Sequence, residues 1–374
     1  MSNQVIVLDN GSSTIKAGFA GDVKPLVVLP SYVGRQKNER VMVDAPNEDA
    51  YVGEQARKYR GILKLSYPID RGIIKDETDL ELLWKEVFNQ LNVSSAGHPL
   101  LISDSALLPT SNKEKLVQIA FESFGVPMVC VMSQTVLALY ATARTTGTIL
   151  DVGEGGTRVT SVAEGFALPH SVEATAVGGR DVTMYLQKLL KQQGLRLETS
   201  SELEIVREIK ETVCAVAATA LDKKNLGTTL GGAEAGAVSY TLPDGAIVKI
   251  ANRHAAPEIL FNPALDAREA HGIPQLVHQA ITNCDLDLRR HLCASIVVTG
   301  GSTLFGAFLD RFVNDFKRLQ PKDALIRAYA PVDRQYCAFM GGTVVGMLPS
   351  FKSLMISRTQ YDTDGVAAVH RNFC

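Results

Sequence analysis

Val5-Ile6-Val7-Leu8-Asp9-Asn10-Gly11-Ser12-Ser13-Thr14-Ile15-Lys16 is the stretch from which the fold is read. Its four consecutive apolar residues predict a buried strand. Asp9-Asn10-Gly11 supplies turn chemistry, because Asn and Gly tolerate positive φ. Ile15 resumes the apolar pattern, so the unit is strand, tight turn, strand. Such a turn gathers backbone N–H groups and the hydroxyls of Ser12, Ser13 and Thr14 into one concavity suited to an anion. Lys16 adds a point charge. By itself the pattern is also that of an ordinary hairpin with nothing bound.

A second copy changes the reading. Thr148-Ile149-Leu150-Asp151-Val152-Gly153-Glu154-Gly155-Gly156-Thr157-Arg158-Val159 repeats the plan of apolar strand, Asp, Gly-containing turn and return strand. Two similar halves are therefore expected, each opening with the same hairpin. Facing each other across a cleft, the two turns would clamp one polyphosphate, with Asp9 and Asp151 holding a hydrated divalent cation. Mg²⁺ keeps several waters and binds through one or two carboxylates plus phosphates, so two carboxylates suffice.

The whole chain sets limits on this picture. Its 374 residues predict about two domains. A hydrophobic content of 46% is enough for sizeable cores. The net charge is −2 and no basic run stands out, so nothing offers nucleic acid an electrostatic footprint. Cysteines 130, 214, 284, 293, 337 and 374 show no C-x-x-C spacing, which argues against a zinc ribbon and for a reducing compartment. The first residues lack the basic and apolar regions of a secretory signal. No apolar run approaches the ~18 residues that span a bilayer. A cytosolic or nuclear protein without membrane insertion is expected.

Further along, Leu26 to Leu29 reads as a strand. Residues 35–50 form a polar loop with an apolar tip at Val41-Met42-Val43, either a plain surface loop or one that inserts into a partner's groove. Leu80, Leu83, Trp84, Val87, Phe88 and Leu91 fall at helical spacing and predict a core-facing stripe. Ser111-x-x-Glu114 matches a capping box, opening a helix stopped by Gly125 and Pro127. Val129 to Met132 predicts a strand, which places Gln134 near its carboxyl end, where open α/β sheets present ligand-binding groups. Gly178-Gly179-Arg180-Asp181 breaks the chain before a helix from about Val182 to Gln193, capped by Gly194. Ser201-x-x-Glu204 predicts a second capping box, on a helix carrying Lys210 and Glu211. Leu226 to Ala237 reads as a flexible insertion and Leu242-Pro243-Asp244-Gly245 as a turn. Ser295 to Thr303 runs from a buried strand into Gly300-Gly301 and a helix start. This suits either an anion at a helix N-terminus or close strand–helix packing. The seven histidines are scattered at no metal-ligand spacing. No G-x-S-x-G elbow or Walker A lysine motif occurs.

Strings from end to end resemble the actin family. They include Lys16-Ala17-Gly18-Phe19-Ala20-Gly21-Asp22, Tyr51-Val52-Gly53, Arg60-Gly61-Ile62-Leu63, Tyr67-Pro68-Ile69 and Arg144-Thr145-Thr146-Gly147. Glu164 to His170, Gly178 to Asp181, Asp285 to Arg289, Gly300-Gly301-Ser302-Thr303 and Val369-His370-Arg371 belong to the same set. Ser200 to Cys214 and Ser302 to Lys322 resemble centractin, the actin-related subunit of dynactin, somewhat more than conventional actin. The resemblance implies an α/β, two-lobed actin-like ATPase fold, shared with heat-shock chaperones and hexokinases, with the nucleotide cleft between the lobes. The outer lobe would be 1–141 plus 336–374, with 31–67 as a small exposed subdomain. The inner lobe would be 142–335, with 178–266 as its small subdomain.

The same resemblance implies ATP or ADP with Mg²⁺ or Ca²⁺. Ser12, Ser13, Thr14 and Lys16 match the first phosphate loop, and Asp151, Gly153, Glu154, Gly155 and Thr157 the second. Lys210 and Glu211 match ribose and adenine contacts. Gly300, Gly301, Ser302, Leu304, Phe305 and Gln335 match the adenine side. Asp9, Gln134 and Asp151 match the groups around the hydrated metal, and Gln134 also the residue that positions the attacking water. Ser13 stands where most actins have glycine and Glu154 where they have aspartate. Arg158 replaces a histidine near the attacking water, Gln335 a lysine and Arg71 a histidine that actins often methylate. For self-association the resemblance implies that the 40–49 loop docks into a groove including Tyr140, Ala143, Thr145, Val345, Leu348 and Leu354. Ala264-Leu265-Asp266-Ala267-Arg268 puts two charges where actins carry an apolar plug, and these either pair with each other or with a neighbour. Three functions follow. One is a cytoplasmic, cytoskeletal protein forming a short or specialised filament with slow ATP hydrolysis. Another is a non-polymerising ATP-binding subunit of a larger complex, with actin-binding or dynactin-like partners. The last is a metabolic kinase, for which no extra carboxylate base is evident.

Overall fold

A computed structural model describes residues 4–37, 49–221, 237–251 and 253–372. Its residues cluster into one unit of Met1–Ile149, Val162–Ala167 and Pro331–Cys374 and a second of Leu150–Ser161 and Leu168–Ala330.

In the first unit every residue of β1 (Ile6–Asn10) is buried. A strand covered on both faces needs an unbroken apolar run, which is what Val5 to Leu8 supplies. β1 pairs antiparallel with β2 (Thr14–Phe19), which pairs with β3 (Val27–Pro30). On its other side β1 runs parallel to β4 (Leu100–Asp104), followed by β5 (Met128–Ser133) and the short strand Ile356–Ser357. The apolar stripe from Leu80 to Leu91 lies on α1 (Glu77–Leu91) and enters this unit's core. Asp76 caps α1 by accepting the Asp79 N–H at 3.0 Å. The Asp79 carboxylate, fully buried, is neutralised by Arg35.

α2 (Thr110–Gln118) corrects one expectation. It begins directly after Pro109, so Ser111 lies inside its first turn and forms no capping box. Asn112 fixes the helix start instead, accepting the Ile74 N–H at 2.9 Å and donating to Asp104 at 3.1 Å. α3 (Gln134–Tyr140) follows β5 without a break, as the position of Gln134 requires.

The second sheet contains β6 (Gly147–Val152), β7 (Thr157–Ala163), β8 (Phe166–Ala167), β9 (Glu173–Thr175), β10 (Ile296–Thr299) and β11 (Ala328–Tyr329). Its order is β8-β7-β6-β10-β11, with β9 also paired to β7. α4 (Gly179–Gln192) starts three residues earlier than the sequence suggests, because the Asp181 carboxylate accepts the Gly178 N–H at 3.0 Å and so holds the glycine pair as a helix start. α5 (Ser200–Val213) is capped by Thr199 and Glu202 rather than by Ser201 and Glu204. The two boxes overlap in sequence, and Glu204 is engaged by Arg207 at 3.2 Å. The predicted turn at Leu242–Gly245 closes a hairpin, with the Leu242 N–H donating to Ala246 O at 2.8 Å. Val41-Met42-Val43 and residues 226–236 lie outside the described residues. Among the described residues no helix is long and apolar enough to cross a membrane.

Candidate functional site

The first hairpin places three groups on one carboxylate. Asp9 faces Lys16 across β1 and β2, and Ser103 across β1 and β4. Lys16 Nζ lies 2.9 Å from one Asp9 oxygen. The other accepts Ser103 Oγ at 2.5 Å and Gln134 Nε2 at 3.1 Å. Gln134 is aimed by a further contact, accepting Ser105 Oγ at 3.2 Å. Asp9 is 3% exposed, so these partners hold a charge that burial alone would disfavour.

The turn itself differs from the expected one. Asp9 and Asn10 continue the strand, and neither Asn10 nor Gly11 adopts positive φ. Gly11 is required for a different reason: a Cβ there would fall 2.5 Å from the Thr14 carbonyl oxygen. Ser31 pins the turn, donating Oγ to Gly11 O at 2.6 Å and N–H to Ser13 O at 2.9 Å. Ser12 Oγ accepts the Gly72 N–H at 3.1 Å. Asn10 accepts Trp84 Nε1 at 3.1 Å, while its own Nδ2 is buried with no acceptor.

The second hairpin is tied down through backbone and one ion pair. The Gly153 N–H donates to Gly156 O at 3.0 Å, and Gly179 and Arg180 N–H donate to Gly153 O and Glu154 O at 2.9 and 3.0 Å. Lys210 Nζ reaches Glu154 Oε2 at 3.0 Å and Gly179 O at 3.1 Å. Burial pushes the Glu154 carboxyl up, but the Lys210 and Arg207 charges outweigh it and hold the group below its usual value. Thr157 donates its hydroxyl inward, to Val177 O at 2.8 Å. Arg158 is partly buried on β7, opposite Ala174 of β9.

The glycine pair after β10 packs closely and starts no α-helix. Gly300 has φ +94, and a Cβ on it would lie 2.3 Å from Val152 O and 2.7 Å from Asp151 Oδ1. Only a four-residue 3₁₀ turn, Gly301–Leu304, follows, so the helix-dipole reading of this stretch does not hold. Ser302 Oγ donates to Gly153 O at 3.0 Å and Gly301 borders open space. Hence Asp151, the Gly153–Gly156 turn, Lys210, Gly300 and Ser302 are brought together. Glu211 is not among them: it is exposed and pairs with Arg207 at 3.0 Å. Leu304 is exposed, Phe305 is buried, and Gln335 sits in the first unit, on the turn Arg334–Tyr336.

Two features bear on association. Asp266 and Arg268 pair with each other at 3.0 Å and also with neighbours: Lys188 meets Asp266 at 2.7 Å and Arg268 meets Asp181 at 2.7 Å. Of the predicted groove, Leu348 and Leu354 are exposed and Tyr140 donates to Gly165 O at 3.1 Å, but Val345 is core and cannot form an exposed surface. Exposed Val344 and Met347 flank it instead.

Ser103, Trp84 and Asp181 were not singled out from the sequence as site residues. Only the strand register brings Ser103 to Asp9, and a lone serine on a strand carries no local signal. Among the described residues no cluster of three or more His, Cys, Asp or Glu is arranged to hold a metal by itself. A family model described as Actin matches residues 1–374, and so spans both units.

Proposed function

Because the chain belongs to the actin family, we propose that it binds ATP with a divalent cation, both hairpins contributing, and that it assembles into a short or specialised cytoskeletal filament in the cytoplasm. The observation that carries the nucleotide reading is the repeated hairpin. In each, an aspartate is the penultimate residue of an apolar strand and a tied-down turn follows, with a lysine on a carboxylate beside it.

The residues fit the ligand. Ser12, Ser13, Thr14 and Lys16 offer hydroxyls and a charge to phosphate, and the Gly153–Gly156 turn offers backbone N–H groups. The buried Asn10 Nδ2 adds a donor that needs an acceptor. Asp9, with both oxygens engaged, and Asp151 suit a cation that keeps its waters. Bound with ATP, such a cation neutralises phosphate charge. Gln134 hydrogen-bonds Asp9, Ser103 and Ser105, and on this reading it orients the water for slow hydrolysis.

Binding of a fluorescent ATP analogue tests the site. Asp9→Ala or Asp151→Ala should weaken retention at least tenfold, whereas Gln134→Ala should slow phosphate release with less effect on affinity, since roughly 1.4 kcal/mol is a factor of ten. Equal loss of affinity in all three would show that the roles are misassigned. Sedimentation with Mg-ATP tests assembly. The ion pairs of Asp266 and Arg268 favour a second reading, a non-polymerising ATP-binding subunit with actin-binding or dynactin-like partners. Failure to pellet in any nucleotide state, with binding to unlike partners, would select it.

A further inference from the structure

One buried carboxylate joins a surface segment to the Gly153–Gly156 turn. Asp181 is the third residue of α4 and is fully buried. One of its oxygens accepts the Gly178 N–H at 3.0 Å, and the other lies 2.7 Å from Arg268 Nη1. Gly178 and Gly179 in turn lie against the hairpin. Gly179 and Arg180 donate to Gly153 O and Glu154 O, and a Cβ on Gly178 would fall 2.5 Å from Gly156 N. Arg268 is thus one side chain removed from the backbone that shapes the turn.

Arg268 is itself held. Its Nε donates to Asp266 at 3.0 Å, and Asp266 is gripped by Lys188 at 2.7 Å. Lys188 and Asp181 stand seven residues apart on α4, about two helical turns. The segment Pro263–Arg268 is therefore stapled along this helix at two points. Ala267 has φ +54, a conformation that costs a non-glycine residue about 1 kcal/mol or more and persists where neighbours impose it. Burying a carboxylate is costly unless a full opposite charge is among its partners, and the Arg268 guanidinium supplies that charge to Asp181.

We propose that Arg268 is a positioning residue for the nucleotide: by holding Asp181 it fixes the start of α4 and the Gly153–Gly156 turn, so that ATP retention is set from the surface segment 263–268. This rests on reading that turn as phosphate-binding.

The test is the release rate of etheno-ATP from the full chain, with thermal midpoints recorded alongside. Arg268→Met should release the analogue roughly five- to tenfold faster. Arg268→Lys, which keeps a charge on Asp181, should restore most of the retention. In an Asp181→Asn background Arg268→Met should add nothing further. Unchanged release in Arg268→Met overturns the proposal and leaves the nucleotide reading standing. So does equal acceleration by Met and Lys with equal loss of thermal midpoint, since that is general loosening, and so does full additivity with Asp181→Asn. If the wild-type chain takes up no etheno-ATP, the nucleotide reading itself falls, and the proposal with it.

Discussion

At the scale of single residues, Glu154 and Lys210 work as a unit. Both are largely buried, and Lys210 Nζ donates to Glu154 Oε2 and Gly179 O. Removing one member of such a pair strands the other charge, at a cost of about 3–5 kcal/mol, whereas removing both is much milder. Lys210→Met should therefore destabilise strongly, and Glu154→Gln with Lys210→Met should recover a large part of the loss, as read by urea denaturation. The pH dependence has a fixed sign. Glu154 titrates below its usual value in the folded chain. Its contribution is thus complete above the ordinary carboxylate range and declines as pH falls through the lowered folded value. Glu154→Gln should flatten that acid limb. Nothing local in the sequence announces the pair, because its members are separated by 56 positions. The aspartates Asp9 and Asp151 were legible because each closes an apolar run.

At the scale of elements, apolar periodicity was a reliable guide and capping patterns were not. The stripe on α1 is buried from Leu80 to Leu91 as its spacing requires. By contrast, Thr199-Ser200-Ser201-Glu202-Leu203-Glu204 contains two overlapping capping boxes; the first caps the helix, while Glu204 pairs with Arg207 three residues on along the same helix. Thr199→Ala should cost about 1 kcal/mol. Ser201→Ala should cost clearly less, and a reversed order in chemical denaturation would contradict the cap assignment. The same lesson applies to Gly300. Paired glycines after a strand suggested an anion-binding helix start, but a close backbone approach to Val152 and a 3₁₀ turn occupy the place. Sequence reveals that a Cβ is absent, and only the fold reveals which atom needs the room.

At the scale of the molecule, each unit has its own apolar core, and the repeated hairpin lies in both. Ligand at about one hundred times its dissociation constant should stabilise its host by about 2.7 kcal/mol. Calorimetry with Mg-ATP should therefore raise the melting of both units if both hairpins contribute. A shift confined to one unit would confine the nucleotide to one hairpin. The buried thiols give this experiment an internal counterpart. Cys130 and Cys337 belong to the first unit and Cys214, Cys284 and Cys293 to the second, all buried and unbridged. Burial pushes Cys130 and Cys214 up to about 12, so an alkylating reagent meets almost no thiolate in the closed chain. Modification then proceeds only as fast as each half breathes open, and a mass spectrum taken over time becomes a clock for the two halves separately, with no label to engineer.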